Sequence, residues 1–257
     1  MLFNSWSYIA LLVGVVVIHR FLPKRGQNLL VLAASYVFYG AWDWRFLSLL
    51  WVSTIGDYTV GRRIAATDDK RVRLRLLRVS LLANLGLLAT FKYFGFFVDS
   101  FETLLTSVGL GADFPTLAIV LPVGISFYTF QTLSYTIDVY RGDVEATKDP
   151  LAFAVYVAFF PQLVAGPIER ASRLLPQFER RRGPVDVTTT FSGIHLVVQG
   201  LIKKIAIADT VAPFVNDAFN DHAEAGAAAL ALGVIGFGLQ IYGDFSGYTD
   251  IARGSAR

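Results

Sequence analysis

The chain has 257 residues, 54% of them hydrophobic and 17% charged, with a net charge of +3 and no cysteine. A soluble domain normally runs about 45–50% apolar and about 25% charged, and here the apolar excess falls in long blocks split by short charged loops, the pattern of a polytopic membrane protein. Disulfides, thiolate metal sites and a cysteine acyl relay are excluded, and the Lys and Arg residues border apolar blocks rather than forming a nucleic-acid face.

The opening MLFNSWSYIA lacks the basic start and cleavage site of a signal peptide and reads as a first membrane helix that stays. A helix that crosses the hydrocarbon needs about 20 mostly apolar residues. The blocks that predict such helices are, in chain order, Ser7–Leu22, Asn28–Trp42, Phe46–Val60, Val79–Val98, Pro115–Tyr140, Leu151–Ala165 and Ala225–Ala252. Several are short, so tilting, extension into the interface or a re-entrant path is expected. Thr190–Ala208, apolar but for Lys203 and Lys204, predicts an interfacial or buried helix. With no repeat, low-complexity tract or linker, residues 1–257 read as one all-α membrane domain.

Loop charge sets the orientation. The stretch from Arg62 to Arg78 holds Arg62, Arg63, Lys70, Arg71, Arg73, Arg75 and Arg78 against Asp68 and Asp69, which places it in the cytoplasm. Counting back puts Lys24 and Arg25 inside and the N-terminus outside; counting forward puts Phe101–Asp113 outside and Arg141–Pro150 inside. Ile168–Asp186, with Arg170, Arg173, Arg180, Arg181 and Arg182, also asks to be inside. Leu151–Ala165, interrupted by Pro161 and closed by Gly166 and Pro167, therefore reads as a re-entrant or broken helix. Such backbone survives at membrane depth only beside protein or a wet cavity.

Polar residues inside the apolar blocks are the candidate functional groups. On a helix, Tyr128, Gln131, Thr132, Tyr135 and Asp138 fall on one face. An unpaired polar group in hydrocarbon costs several kcal/mol, so this face must meet other helices or water. Two readings stay open: helix-to-helix glue, or the lining of a polar substrate path. Asp138 is close enough to the cytoplasmic end to be simply solvated. Gln240, Asp244 and Tyr248 repeat the pattern in the last block, where Gly243 and Gly247 form a small-xxx-small pair. For Asp244 the plain alternative is an interfacial aspartate capping a helix or pairing with Arg253. His19, His195 and His222 are too far apart for a metal set: His19 reads as interfacial, His195 as a packing residue and His222 as solvated.

Four stretches carry a resemblance. They are MLFNSWSYI with AASYVFYGAWDWRF, LPVGISFYTFQTLSYTIDVYRG, FFPQLVAGPIERASRLLPQF, and GLIKKIAIAD followed by YGDFSGYTDIA. Together they run from Met1 to about Ala252 and resemble the membrane-bound O-acyltransferase family, in the bacterial branch similar to alginate O-acetyltransferase and the D-alanyl transfer protein of teichoic-acid modification. The resemblance implies a ring of helices, incomplete here, around a central funnel. It implies an acyl group, acetyl by preference, moved from a cytoplasmic thioester, acetyl-CoA or an acyl carrier, to hydroxyls of an extracytoplasmic polysaccharide. Tyr128, Gln131, Thr132, Tyr135, Asp138, Gln162, Gln240, Asp244 and Tyr248 would then line the funnel or its tunnel. No bound cofactor or metal is implied. The expected partners are membrane lipid, the polysaccharide and an acyl carrier or extracytoplasmic acyltransferase, and the expected location is the inner, cytoplasmic membrane.

In the family the key histidine follows the GYTDIA-like motif in a tryptophan- and arginine-rich stretch. This chain reaches ARGSAR a few residues past that motif and no histidine matches. The expectation is an N-terminal fragment, truncated or frame-disrupted, with no catalytic residue of its own and inactive alone. The rival expectation is a non-catalytic membrane carrier or scaffold.

Overall fold

A computed structural model of the chain describes residues 3–107, 121–163, 166–180, 186–221 and 225–257. Every regular element among them is helical: α1 (Trp6–His19), α2 (Lys24–Asp43), α3 (Leu47–Ala65), α4 (Lys70–Ser107), α5 (Ile125–Arg141), α6 (Pro150–Ala158), α7 (Phe160–Leu163), α8 (Ala171–Glu179), α9 (Val187–Leu201), α10 (Asp209–Asn220) and α11 (Ala227–Ala256). A short 3₁₀ turn, Trp44–Phe46, joins α2 to α3, and a π-helical stretch, Ile202–Ala208, runs unbroken between α9 and α10. Three helical runs are long and apolar enough to cross a membrane: Lys70–Ser107, Val187–Asn220 and Ala227–Ala256. His222, residues 108–120 of the expected outer loop and fifth span, and Arg181 and Arg182 lie outside the described residues.

Local chemistry sets the helix ends. Ser5 caps α1 by accepting from the Tyr8 amide at 3.2 Å, and Asp69 caps α4 by accepting from the Arg71 amide at 2.8 Å. Gly124 and Gly142 bound α5 at φ 77° and 83°, where a side chain would be strained. Pro150 opens α6, and Asp149 Oδ1 accepts from the amides of Leu151 and Ala152 at 3.0 and 3.2 Å. The helix expected over Leu151–Ala165 breaks at Phe159 into α6 and α7. The basic stretch expected as a loop is partly helical, because α4 already begins at Lys70. Arg and Lys are strong helix formers, so a run of 38 residues, about 57 Å at 1.5 Å per residue, exceeds a hydrocarbon core of about 30 Å. Val187–Asn220 is likewise long enough to cross, where an interfacial or buried helix was expected over part of it.

The chain forms two compact units. The first contains Met1–Trp42, Phe159–Pro167 and Arg181–Arg257; the second contains Asp43–Ala158 and Ile168–Arg180.

In the first unit α9, the π stretch and α10 run antiparallel along α11. Glycine allows the approach: a Cβ on Gly200 would lie 2.5 Å from the Gly247 carbonyl oxygen, and one on Gly254 would lie 2.5 Å from that of Gly193. Seven residues separate the partners on each helix, which keeps the small residues on one seam. Beyond the π stretch the seam continues with Val215 beside Gly236 and Ala218 beside Gly233. An aromatic cluster of Phe3, Tyr8, Phe38 and Phe160 closes this unit, with ring centroids 4.9–6.0 Å apart. The Tyr8 hydroxyl also bonds Ser255 Oγ at 2.7 Å, fastening α1 to the end of α11. The second unit is built on α3, α4 and α5, with α6 and α8 packed beside them. Leu50, Ile64, Leu77, Leu88, Leu133 and Phe153 are buried in it, whereas Ile55, Leu82 and Phe130 are exposed on outward faces.

The glycine seam gives opposite predictions for two substitutions. Gly200→Ala should destabilise the protein by roughly 1–3 kcal/mol, because backbone must move. Gly238→Ala, where nothing lies within 4 Å, should be neutral or stabilising by up to about 1 kcal/mol from helix propensity. Thermal unfolding in detergent reads both.

Candidate functional site

The polar side chains of α5 divide between two neighbours. Tyr128, Gln131 and Tyr135 are buried, and the last two meet α6. Gln131 Nε2 donates to the Tyr156 carbonyl at 3.4 Å, and the Tyr156 hydroxyl donates to the Gln131 carbonyl at 3.1 Å. Gln131 Oε1 receives no hydrogen bond although the residue is 2% exposed. Tyr135 packs on Phe153 with centroids 4.6 Å apart, and its hydroxyl accepts from the Thr147 amide at 3.2 Å. Only glycine fits opposite it, since a Cβ on Gly61 would lie 2.7 Å from the Tyr135 ring. Asp138, one turn further, is half-buried.

Thr132 belongs to the other side. It joins Thr129 and Thr136 in facing α3 and α4, where a buried carboxylate that the sequence reading passed over, Asp57, anchors a polar core. Ser80 Oγ and Asn84 Nδ2 donate to Asp57, the latter at 2.8 Å, and Thr136 Oγ1 donates at 3.3 Å. One turn away Ser53 Oγ donates to Asn84 Oδ1 at 3.0 Å, with Thr132 Oγ1 3.3 Å from Ser53 Oγ and 3.4 Å from Asn84 Oδ1.

The remaining candidates lie in the first unit. Gln162 is buried on α7, with Gly166 folded so closely over it that a Cβ there would meet the Gln162 Cα at 2.4 Å. Gln240, Asp244 and Tyr248 are half-buried on α11. The partner of Asp244 is Lys204, not Arg253: Lys204 Nζ lies 2.6 Å from Asp244 Oδ1 and 2.6 Å from Asp209 Oδ1. The same ammonium sits 5.4 Å from the centroid of the Tyr248 ring. Lys203 turns to a second carboxylate, bonding Asp250 at 2.6 Å and Ser246 at 2.9 Å. Successive residues of an ordinary helix point about 100° apart; here both lysines of the π stretch reach α11, Lys204 toward its start and Lys203 toward its end. Charged groups on membrane helices need such partners. Asp250 and Lys203 were not among the sequence candidates, because their pairing links residues 47 positions apart.

Neither described histidine joins these clusters. His195 is exposed on α9, and His19 ends α1. No group of three or more His, Cys, Asp or Glu residues arranged to hold a metal occurs among the described residues. Each unit by itself thus offers polar groups that can orient a ligand, hydroxyls and amides in the second and ion-paired side chains in the first, and among the described residues no imidazole lies in either cluster.

No protein-family model matches the chain. Among curated proteins it is 41% identical over 257 residues to a probable alginate O-acetylase of Pseudomonas aeruginosa, covering 99% of this chain and 48% of that protein. A probable alginate O-acetylase of Azotobacter vinelandii is 42% identical over 235 residues, 90% of this chain and 46% of the relative. A peptidoglycan O-acetyltransferase of Helicobacter pylori is 31% identical over 252 residues, 88% and 47% respectively. The chain spans about half the length of the curated relatives it matches.

The Lys204–Asp244 pair is testable by a double-mutant cycle. Lys204→Met and Asp244→Asn should each lower the melting midpoint. The double variant should lose less than the sum, with a coupling of roughly 0.5–3 kcal/mol.

Proposed function

We propose that this chain, a homologue of the MBOAT-type O-acetyltransferases, supplies membrane-embedded machinery for transferring an acetyl group to hydroxyls of a polysaccharide. The observation that carries this reading is the 41% identity with a probable alginate O-acetylase sustained over 257 residues. In the reaction a sugar hydroxyl oxygen bonds to the acyl carbon of a thioester as the carbon–sulfur bond breaks. The hydroxyl proton ends on the departing thiol. We place the donor, acetyl-CoA or an acyl carrier, on the cytoplasmic face, the acceptor outside the cytoplasmic membrane, and the N-terminus outside. The similarity to an alginate O-acetylase and a peptidoglycan O-acetyltransferase supports a polysaccharide acceptor.

This chain's own side chains would orient and not transfer. Gln131 carries a buried oxygen with no donor, which suits a hydroxyl hydrogen brought by a substrate. Tyr135 and Tyr156 border the same side of α5. Lys204 fixes the carboxylate of Asp244 and shares Tyr248 with it. Thr132 is better placed for holding helices together, since its hydroxyl is engaged inside the Asp57 core. A general base, worth about 10²–10⁴-fold in rate, is assigned to neither His19 nor His195.

The test is polymer-bound acetyl measured in cells whose transferase carries substitutions in this region. Gln131→Ala and Asp244→Ala should lower acetylation about tenfold or more through misplaced substrate, with membrane abundance held within about twofold. His195→Ala should leave acetylation within about twofold, as expected of an exposed side chain outside the chemistry. Equal falls in abundance and acetylation for Gln131→Ala and Asp244→Ala would make those residues helix glue, and a collapse on His195→Ala would return the base to this chain.

A further inference from the structure

The polar core of the second unit is built in a regular way. Three helices each contribute a pair of oxygen-bearing side chains four residues apart: Ser53 and Asp57 from α3, Ser80 and Asn84 from α4, Thr132 and Thr136 from α5. Four-residue spacing stacks each pair along one face. The result is two layers: Ser53, Asn84 and Thr132 in one, Asp57, Ser80 and Thr136 in the other. All six residues are buried, Asp57 at 2% exposure and Thr132 and Thr136 at 0%.

Charge balance is the unresolved matter in that core. Its one formal charge is the Asp57 carboxylate, and among the described residues no Lys, Arg or His makes an ion pair with it. Its partners are two hydroxyls and an amide, all neutral. Neutral donors solvate a carboxylate but leave its charge in place, and an uncompensated charge in a dry interior is heavily penalised. The other unit shows the usual remedy, with ammonium groups set against Asp244 and Asp250.

A second observation comes from the same face of α5. Thr129, one turn before Thr132, is 0% exposed and its hydroxyl has no hydrogen-bond partner. Helical spacing sets it on the Thr132 and Thr136 stripe. A buried hydroxyl normally finds a partner, so an oxygen beside the core is left for something else.

We propose that the Asp57 core is a binding site for a monovalent alkali-metal cation, taken here as sodium. Hydroxyl, amide and carboxylate oxygens are hard ligands of the kind such ions select, and Ser53 Oγ, Asn84 Oδ1 and Thr132 Oγ1 stand 3.0–3.4 Å from one another. One carboxylate balances one positive charge; a divalent ion would leave the interior positively charged. Hydroxyl hydrogens rotate freely, so Ser53, Thr132 and Thr136 can turn lone pairs to a cation without moving a helix. Occupancy would then tie α3, α4 and α5 together and fix the rotation of α5, which carries Gln131 on its other side. The site stands independently of the acyl-transfer reading.

The purified 257-residue chain in detergent, at fixed pH and ionic strength, is moved from N-methyl-D-glucamine chloride to sodium chloride while its melting midpoint is followed and radioactive sodium binding is measured. Wild type should bind sodium saturably, with the midpoint rising about 3 °C or more. Asp57→Asn, which keeps shape and removes the charge, should lose the sodium response while retaining its helical circular dichroism. Thr132→Val, equal in volume, should raise the half-saturating sodium concentration about fivefold or more. Identical melting of wild type in both salts, an equal sodium response in wild type and Asp57→Asn, or an Asp57-dependent response to pH but not to sodium would each overturn the proposal.

Discussion

A hydroxyl, amide or carboxylate on a helix in hydrocarbon has no water to turn to, and leaving it unmatched costs several kcal/mol. Both units of this protein are arranged around that constraint. In the second unit Asp57 on α3 draws Ser80 and Asn84 of α4 and Thr136 of α5 onto itself, and the same contacts hold these three helices. In the first unit the ammonium groups of Lys203 and Lys204 fasten the π stretch to α11 through Asp250 and Asp244. Apolar packing alone is a weak reason for helices to associate in lipid, where the tails are as apolar as leucine. Outward-facing Ile55, Leu82 and Phe130 accordingly carry no partner role.

Small residues let the polar contacts form. The Gly193–Gly254 and Gly200–Gly247 approaches bring two backbones close enough for short polar bridges beside them. Just past Gly200 the helix widens into its π form, and both lysines reach the same partner helix. Local π geometry recurs at functional sites because it re-aims side chains at some cost in hydrogen-bond quality. The GLIKKIAIAD stretch and the YGDFSGYTDIA stretch, far apart in the chain, are thus two halves of one contact.

Much of this is legible in the sequence. The helical class followed from block hydropathy, the broken helix near Phe159 from Pro161 and from loop charge, and the close approach at Gly243 and Gly247 from their spacing. The stripe on α5 is buried from Tyr128 to Tyr135 and half-buried at Asp138, yet its division was hidden. Helical phase groups Thr132 with Gln131 and Tyr135, and only the positions of α3, α4 and α6 decide that Thr132 turns the other way. Asp57 escaped notice because one aspartate near the end of a short apolar block reads as interfacial. The four-residue spacings Ser53–Asp57 and Ser80–Asn84 were the available signal. The stretch holding Lys203 and Lys204 read as interfacial or buried, without a choice between the two, because their partners lie on a distant helix and because periodicity does not reveal a π stretch. The basic run after Arg62 read as a loop, since charge masks helix propensity; α4 begins inside it at Lys70.

Both polar sides of α5 depend on the helix turning Tyr128 and Tyr135 toward protein and Phe130 toward lipid. Tryptophan quenching by lipids brominated on their acyl chains tests this directly, in a background where Trp6, Trp42, Trp44 and Trp51 are replaced by phenylalanine. A single tryptophan introduced by Phe130→Trp should be strongly quenched, and one introduced by Tyr135→Trp should be nearly untouched. Equal quenching at the two positions would contradict the burial of the α5 polar face, and with it the reading of both its sides.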